Sequence, residues 1–422
     1  MSNPRGDYTR IALGVGLGFS ALGLLGVLLG AFGEYTDPRP ALGWMIGLTF
    51  WLSIGIGMLF LVMIWHLFGA GWPVIVRRQL EHAFAAFPWL FLLFLPLVVL
   101  SAQAIAPALV WKWMDPTYVM PSGDAVSEDV LYTSKAAYLN YGFFFLRFIL
   151  YFAVFTVVGG LLRKWSFQND VNGDPANTDK ALRLSALGVP LVALSATFAA
   201  FDWFMSLEFH WFSTMYGVWF FSASMRAAVA AGLLICLLMA SRGYLKGIFK
   251  RSHMYLLGCL ALAFTVFWAY ISFSQYFLIY NANIPEETFW FNIREKNHLG
   301  DKNTWWWVSM GLVFGHFFMP FLALLWYKNK VKVKNVIAIS AWILLFHLLD
   351  VYWNILPGKK TDPDPGNALG YTVREFSIHW VDVCSLIGVG GICVWAYLRS
   401  MKQARPIPVK DPRIQASLNC HE

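Results

Sequence analysis

Charge is what this chain has least of: 13 % of its 422 residues are Asp, Glu, Lys or Arg. Soluble domains carry about 25 %. Long polar stretches are missing as well. The longest connection between apolar runs, residues 111–137, is too short to hold a soluble domain. The five cysteines (Cys236, Cys259, Cys384, Cys393 and Cys420) form no CxxC, CxxCH or iron–sulfur ligand run. Free thiols are therefore expected, and no cluster on this chain. The absence of HExxH or a carboxylate cluster argues against an independent metal site. Histidines occur singly, so mid-segment His316 and His347 do not read as the facing pairs that hold a membrane haem. No small-residue cleavage site follows the first apolar run, which reads as a retained helix.

What fills the chain is apolar sequence, with a mean hydropathy of +0.55. Ten stretches are long enough to span a bilayer, which takes roughly 20 mostly apolar residues. They are Ile11–Phe32, Trp44–Phe68, Phe87–Val110, Tyr138–Leu162, Leu184–Ser206, Trp211–Ala240, Tyr255–Ile279, Trp305–Tyr327, Val336–Ile355 and Ser377–Leu398. Five hold no Asp, Glu, Lys or Arg. The others hold one each: Arg147, Asp202, Arg226, Asp350 and Asp382. A charge in hydrocarbon costs at least roughly 2.5–3.5 kcal/mol, so it pairs or lines a polar path. Function is to be sought there. Trp111, Trp113, Trp203, Trp211, Trp290 and Trp305 to Trp307 fall near segment ends, where amphipathic rings anchor at the lipid–water boundary.

The net charge of +8 is sorted by side and does not read as a nucleic-acid surface. With ten spans both termini share a side, and that side holds 21 Lys and Arg against nine opposite. The positive-inside rule places both termini in the cytoplasm. Acidic residues lean outward, 14 against seven. Topology bias accounts for this, and an acidic outer face also suits a docked partner or a basic electron carrier.

The fold expected is all-α integral membrane: one membrane domain, 1–422, holding two four-helix bundles. The first bundle covers segments 2–5 (43–206), the second segments 6–9 (211–355), and segments 1 and 10 flank them. The fifth segment ends Phe201-Asp202-Trp203 and the ninth Asp350-Val351-Tyr352-Trp353, each with an aspartate shortly before an aromatic anchor. His82 follows Arg77-Arg78 before the third segment, and His253 follows Lys250-Arg251 before the seventh. Duplication and convergent interface chemistry both explain these likenesses. An even number of helices per unit makes such repeats parallel. Gly14, Gly18, Gly26 and Gly30, with Gly43 and Gly47, suggest a close-packed seam between the first two segments. Pro96, Pro107, Pro190 and Pro320 are candidates for kinks that free a carbonyl.

The polar residues form a constellation. His347 and Asp350, and likewise His379 and Asp382, are three apart, so each pair shares a helix face. Asp202, Glu208 and His210 lie at the outer end of segments 5 and 6. Arg147 lies in the outer half of segment 4; Arg226 and His316 lie mid-span. Carboxylates, imidazoles and guanidiniums can relay protons. Three readings stand side by side: arginines neutralising Asp202, Asp350 or Asp382, a proton path, and quinone contact. No continuous route to the cytoplasm is visible, since His66 alone lies near the inner boundary of segment 2.

Segment 7 and its exit read Phe267-Trp268-Ala269-Tyr270-Ile271-Ser272-Phe273-Ser274-Gln275-Tyr276, then Tyr280-Asn281-Ala282-Asn283-Ile284-Pro285-Glu286-Glu287-Thr288. The corner between segments 5 and 6 runs from Phe201-Asp202-Trp203 through Glu208-Phe209-His210-Trp211 to Ser213-Thr214. With ten spans, these stretches resemble the polysulfide-reductase-like (NrfD-type) membrane subunits. The closer likeness, over nearly the whole chain, is to the shorter of the two such subunits in bacterial alternative complex III.

That resemblance implies a cofactor-free scaffold and suspected proton conductor in the bacterial inner membrane. Its partners would be the larger NrfD-like quinol-binding subunit, an iron–sulfur protein and c-type cytochrome subunits. Iron–sulfur clusters, c-type haems and quinol would belong to those partners, and a terminal oxidase is a further partner the likeness admits. Asp202, Glu208, His210, Arg226, His347, Asp350, His379 and Asp382 match as path candidates, with Arg147 and His316 beside them. A rival reading gives the chain its own quinone site near the outer face, with Phe201, Trp203, Trp211 and Trp268 around Asp202 or His210. A stand-alone transporter would need paired broken helices at mid-membrane, and none is evident.

Overall fold

Among the described residues ten helices are long and apolar enough to cross a membrane, which makes this an all-α, multi-pass membrane fold. They are α1 (Tyr8–Phe32), α2 (Arg39–Leu67), α3 (Val74–Leu100), α4 (Tyr141–Asn172), α5 (Pro175–Glu208), α6 (Tyr216–Ser241), α7 (Arg251–Ala282), α8 (Thr304–Leu325), α9 (Val333–Ile355) and α10 (Trp380–Met401). The computed structural model describes residues 4–33, 37–102, 105, 106, 108–120, 123–297, 299–361 and 371–420. Pro107, one of the four candidate kink residues, lies outside them. A short antiparallel hairpin pairs Lys359–Thr361 with Tyr371–Val373.

Helices α2 to α5 close into one ring of four, and α6 to α9 into a second. The most buried spans, α2 and α6, pack on each other where the rings meet. A Cβ on Gly57 of α2 would fall 2.1 Å from the Ser224 carbonyl oxygen of α6, so this crossing requires glycine. The flanking helices α1 and α10 run together on the same side, against α2. Of the glycines expected at a seam, Gly14 and Gly18 meet nothing within 4 Å, Gly30 meets Pro40 of α2, and Gly26, Gly43 and Gly47 meet α10. Gly16 of α1 and Gly391 of α10 add a close approach that was not expected, a Cβ on Gly391 falling 2.6 Å from the Gly16 Cα. Residues 14 and 18 share a stripe about 200° around the helix from residue 16, and α10 meets only one of the two stripes.

Helix α3 departs most from the sequence reading. It runs Val74–Leu100 instead of 87–110, bringing Arg77, Arg78, Glu81 and His82 into its first turns. All four are buried. Arg77 Nε lies 3.1 Å and Arg78 Nε 3.5 Å from the two Glu81 oxygens, so i,i+4 and i,i+3 pairing lets the helix begin early. Arg78 also makes a two-point pair with Asp170 at 2.7 and 2.9 Å. The chain beyond α10 is stitched to this cluster. Asp411 accepts from Arg77, Gln79 donates to the Pro406 carbonyl at 2.8 Å, and His82 Nδ1 meets Ser400 Oγ at 2.9 Å. His253 meets Ser417 Oγ at 3.2 Å. This end of the molecule, where the described chain begins and ends, is called the terminal face below. The opposite end is the far face.

The far face is capped by aromatics. The tryptophans expected as lipid anchors do lie near helix ends, but Trp111, Trp113, Trp203, Trp211, Trp290 and Trp305 are buried. Trp211 stacks on Trp290 with centroids 4.2 Å apart, and the Arg294 guanidinium lies 3.3 Å from the Trp290 centroid. Trp307 is exposed.

Candidate functional site

The carboxylates within the spans occupy three different environments. Asp202 of α5 faces α4, where Arg147 Nε and Nη2 donate to its two oxygens at 2.7 and 3.0 Å. Tyr151, one turn on from Arg147, adds its hydroxyl at 2.7 Å. The remaining guanidinium nitrogen donates to the Tyr138 carbonyl at 3.0 Å, and the group lies over the Tyr138 ring at 3.8 Å. Phe94, Phe148 and Phe152 pack around the adjoining Trp203. Such a two-point pair is strong and directional. It pins α4 to α5.

Asp382 is paired as well, though with neither arginine the sequence offered. Arg39, at the start of α2, donates to its oxygens at 2.7 and 2.6 Å and to the Ser377 carbonyl at 2.7 Å. The three-residue spacing to His379 is a helix N-terminus and not a relay face. The His379 N–H donates to Asp382 Oδ2 at 2.8 Å, and His379 Nδ1 accepts from the Val381 N–H at 3.3 Å. This is the reciprocal geometry of a capping box with unusual residues.

Asp350 of α9 is different. Its carboxylate accepts from Trp268 Nε1 at 3.0 Å and from Asn354 Nδ2 at 3.2 Å, both neutral donors. His316 Nε2 stands 3.9 Å away, just beyond hydrogen-bonding distance. Among the described residues no arginine or lysine lies within ion-pair distance of it. Arg226 of α6 is buried close by, with Trp268 beneath its guanidinium at 5.7 Å. Its Nη2 donates to the His316 carbonyl, while Nε and Nη1 have no protein partner. His347 Nε2 meets Ser53 Oγ of α2 at 2.8 Å, and its Nδ1 is unpartnered. Both ring nitrogens of His316 are unpartnered too.

The backbone of α8 explains why His316 stands there. Residues Leu312–Phe318 form a π-helical segment, followed by Pro320. Proline has no N–H to return to the preceding turn. The carbonyls of Gly315 and His316 are taken by side chains instead, Trp342 Nε1 at 2.8 Å and Arg226 Nη2. Pro320 thus frees carbonyls as its position suggested. π-segments recur at functional sites because they redirect side chains.

From Asp350 the polar residues lead to the far face. Asn354, which donates to Asp350, lines a cavity of about 790 Å³. Glu208 lines it as well. Glu208 Oε1 lies 3.5 Å from His210 Nδ1, and His210 Nε2 lies 2.9 Å from Asp129 Oδ2. Burial pulls the His210 imidazole down, but Glu208 and Asp129 outweigh it and hold its pKa above the ordinary histidine value. The path candidates therefore divide. Glu208, His210, Asp350, His316, Arg226 and His347 fall between the far face and the mid-membrane. Asp202 with Arg147, and Asp382 with Arg39, lie toward the same face but are held in two-point pairs.

Trp203, Trp211 and Trp268, considered for a quinone sandwich, are buried in packing contacts and do not line the cavity. Arg39, Asn354 and Ser53 went unnoticed in the sequence. For Arg39 a signal existed: Pro38-Arg39-Pro40 places proline at a helix start. Asn354, four residues after Asp350, is one turn away on the same face. No protein-family model matches this chain, and no curated protein matches it.

Proposed function

We propose that this chain is the cofactor-free F-type subunit of a bacterial alternative complex III, a quinol:electron-acceptor oxidoreductase of the inner membrane. It pairs with the larger NrfD-like quinol-binding subunit and conducts protons through a half-path to the periplasm. In this reading the far face is periplasmic and both termini are cytoplasmic. Iron–sulfur clusters, c-type haems and the quinol belong to partner subunits. Membership of the complex rests on the sequence resemblance; the observation that carries the proton path is Asp350, a buried carboxylate with neutral donors, a histidine at 3.9 Å and a side-chain link through Asn354 to a cavity. A carboxylate without a fixed counter-charge exchanges a proton at lower cost than one in a two-point arginine pair. Protons would pass from His316 to Asp350, across the cavity to Glu208 and His210, and out.

The experiment begins with purification in mild detergent, subunit mass spectrometry and a visible spectrum. Iron–sulfur and c-haem proteins are expected to co-purify; a colourless, stable, solitary chain would instead favour a transporter. In the assembled complex, Asp350→Asn is expected to slow proton-coupled turnover about tenfold or more with assembly intact. Unchanged turnover and proton release in that variant would remove Asp350 from the path.

A further inference from the structure

The far-face cavity carries a charge imbalance that proton conduction does not require. Arg39, Lys112, Arg294, Lys359 and Arg374 line it, against Asp37 and Glu208. Arg39 is neutralised by Asp382 behind the wall. Among the described residues that leaves four cations facing two carboxylates. Among the described residues, none of those four has a carboxylate within ion-pair distance. Arg294 is held by the carbonyls of Trp353, Trp290 and Asn354, and burial pulls its guanidinium down to about 9. Lys112 donates to the Lys359 carbonyl at 3.3 Å and lies 5.9 Å from the Tyr118 ring centroid. Lys359 lies over the rings of Tyr371 and Phe289, at 4.6 and 5.2 Å.

Two surplus positive charges among the described lining of a partly apolar cavity are unfavourable unless an anion joins them. The volume falls within the range of small-molecule sites, and Leu42, Phe204 and Leu207 supply apolar wall. Lysine ammoniums and an arginine fork reaching one space from separate segments suit phosphate oxygens. We propose that this cavity binds a phosphate-class anion, held by Lys112, Lys359 and Arg374 over the Arg294 platform. Free phosphate and the headgroup of an anionic lipid share this chemistry. The inference uses the cavity's charge alone and stands whether or not Asp350 carries protons.

Thermal unfolding of the purified protein, in whatever complex it is isolated with, is followed by tryptophan fluorescence. One arm compares sodium phosphate with sodium chloride at equal ionic strength. The other compares nanodiscs of phosphatidylglycerol with nanodiscs of phosphatidylcholine. A rise in Tm is expected in at least one arm: phosphate alone assigns a free anion, phosphatidylglycerol alone a headgroup. The double variant Lys359→Gln/Arg374→Gln is expected to weaken apparent affinity about tenfold or more, and Lys359→Arg to retain it. If the double variant does not fold, Lys112→Gln, on a different segment, is read the same way. No shift with either probe, or equal affinity in wild type and the charge-removing variant, overturns the proposal.

Discussion

Three aspartates within the spans look alike in sequence, and their neighbours give them different chemistry. Asp202 and Arg147 form a closed unit whose worth lies in being unbroken. Removing one partner from a buried pair typically costs about 3–5 kcal/mol, while replacing both with apolar groups of similar volume is often neutral. Arg147→Met is therefore expected to destabilise by about that much, and Arg147→Met/Asp202→Leu to recover most of the loss. Thermal unfolding in one detergent measures both. Failure of the double variant to recover would mean that Asp202 serves more than packing. His210 makes a second prediction at this scale. Its pKa is raised in the folded protein, so its bonds to Asp129 and Glu208 contribute fully below the ordinary histidine value. That contribution fades as pH rises through the raised value. Limited proteolysis of the 123–140 connection is expected to quicken over that window, and His210→Gln to remove the pH dependence.

At the scale of the element, hydrophobic runs and proline positions were legible in the sequence, while partners were not. All ten spans follow from run length alone. Even so, α3 starts 13 residues before the expected boundary, because Arg77, Arg78 and Glu81 neutralise one another. A three-residue His–Asp spacing was equally ambiguous. In α9 it serves a mid-span site, and in α10 it caps a helix start. Spacing sets which residues share a face but does not reveal what that face meets. The π-segment of α8 is the element on which the candidate site depends. Pro320→Ala restores an N–H that can reclaim a carbonyl of the preceding turn and displace Arg226 or Trp342. The variant is expected to keep or gain thermal stability while proton-coupled turnover falls severalfold. Lower stability with unchanged turnover would assign the π-segment to packing.

At the scale of the whole molecule the two faces are built on opposite principles. The far face holds a cavity with surplus positive charge above Asp350. The terminal face is covered: the chain after α10 lies across the starts of α3 and α7, where it bonds to Arg77, Gln79 and His253. A half-path needs this asymmetry, since a polar route open at both ends would dissipate any proton gradient. None of this covering was legible in the sequence. Arg77 and Asp411 are 334 positions apart, and only folding shows that one answers the other. Asp411→Asn leaves Arg77 with Glu81, a carboxylate it shares with Arg78. The expected loss is about 3 kcal/mol, at the lower end for a broken buried pair because Glu81 remains. Thermal unfolding reads the stability, and proton flux into proteoliposomes of the assembled complex reads the seal. If the tail only stabilises, the variant unfolds earlier with passive flux unchanged. If the tail is also the plug, passive flux rises at temperatures well below unfolding. The second outcome is expected, because the same residues that hold the tail belong to a buried polar cluster on that face.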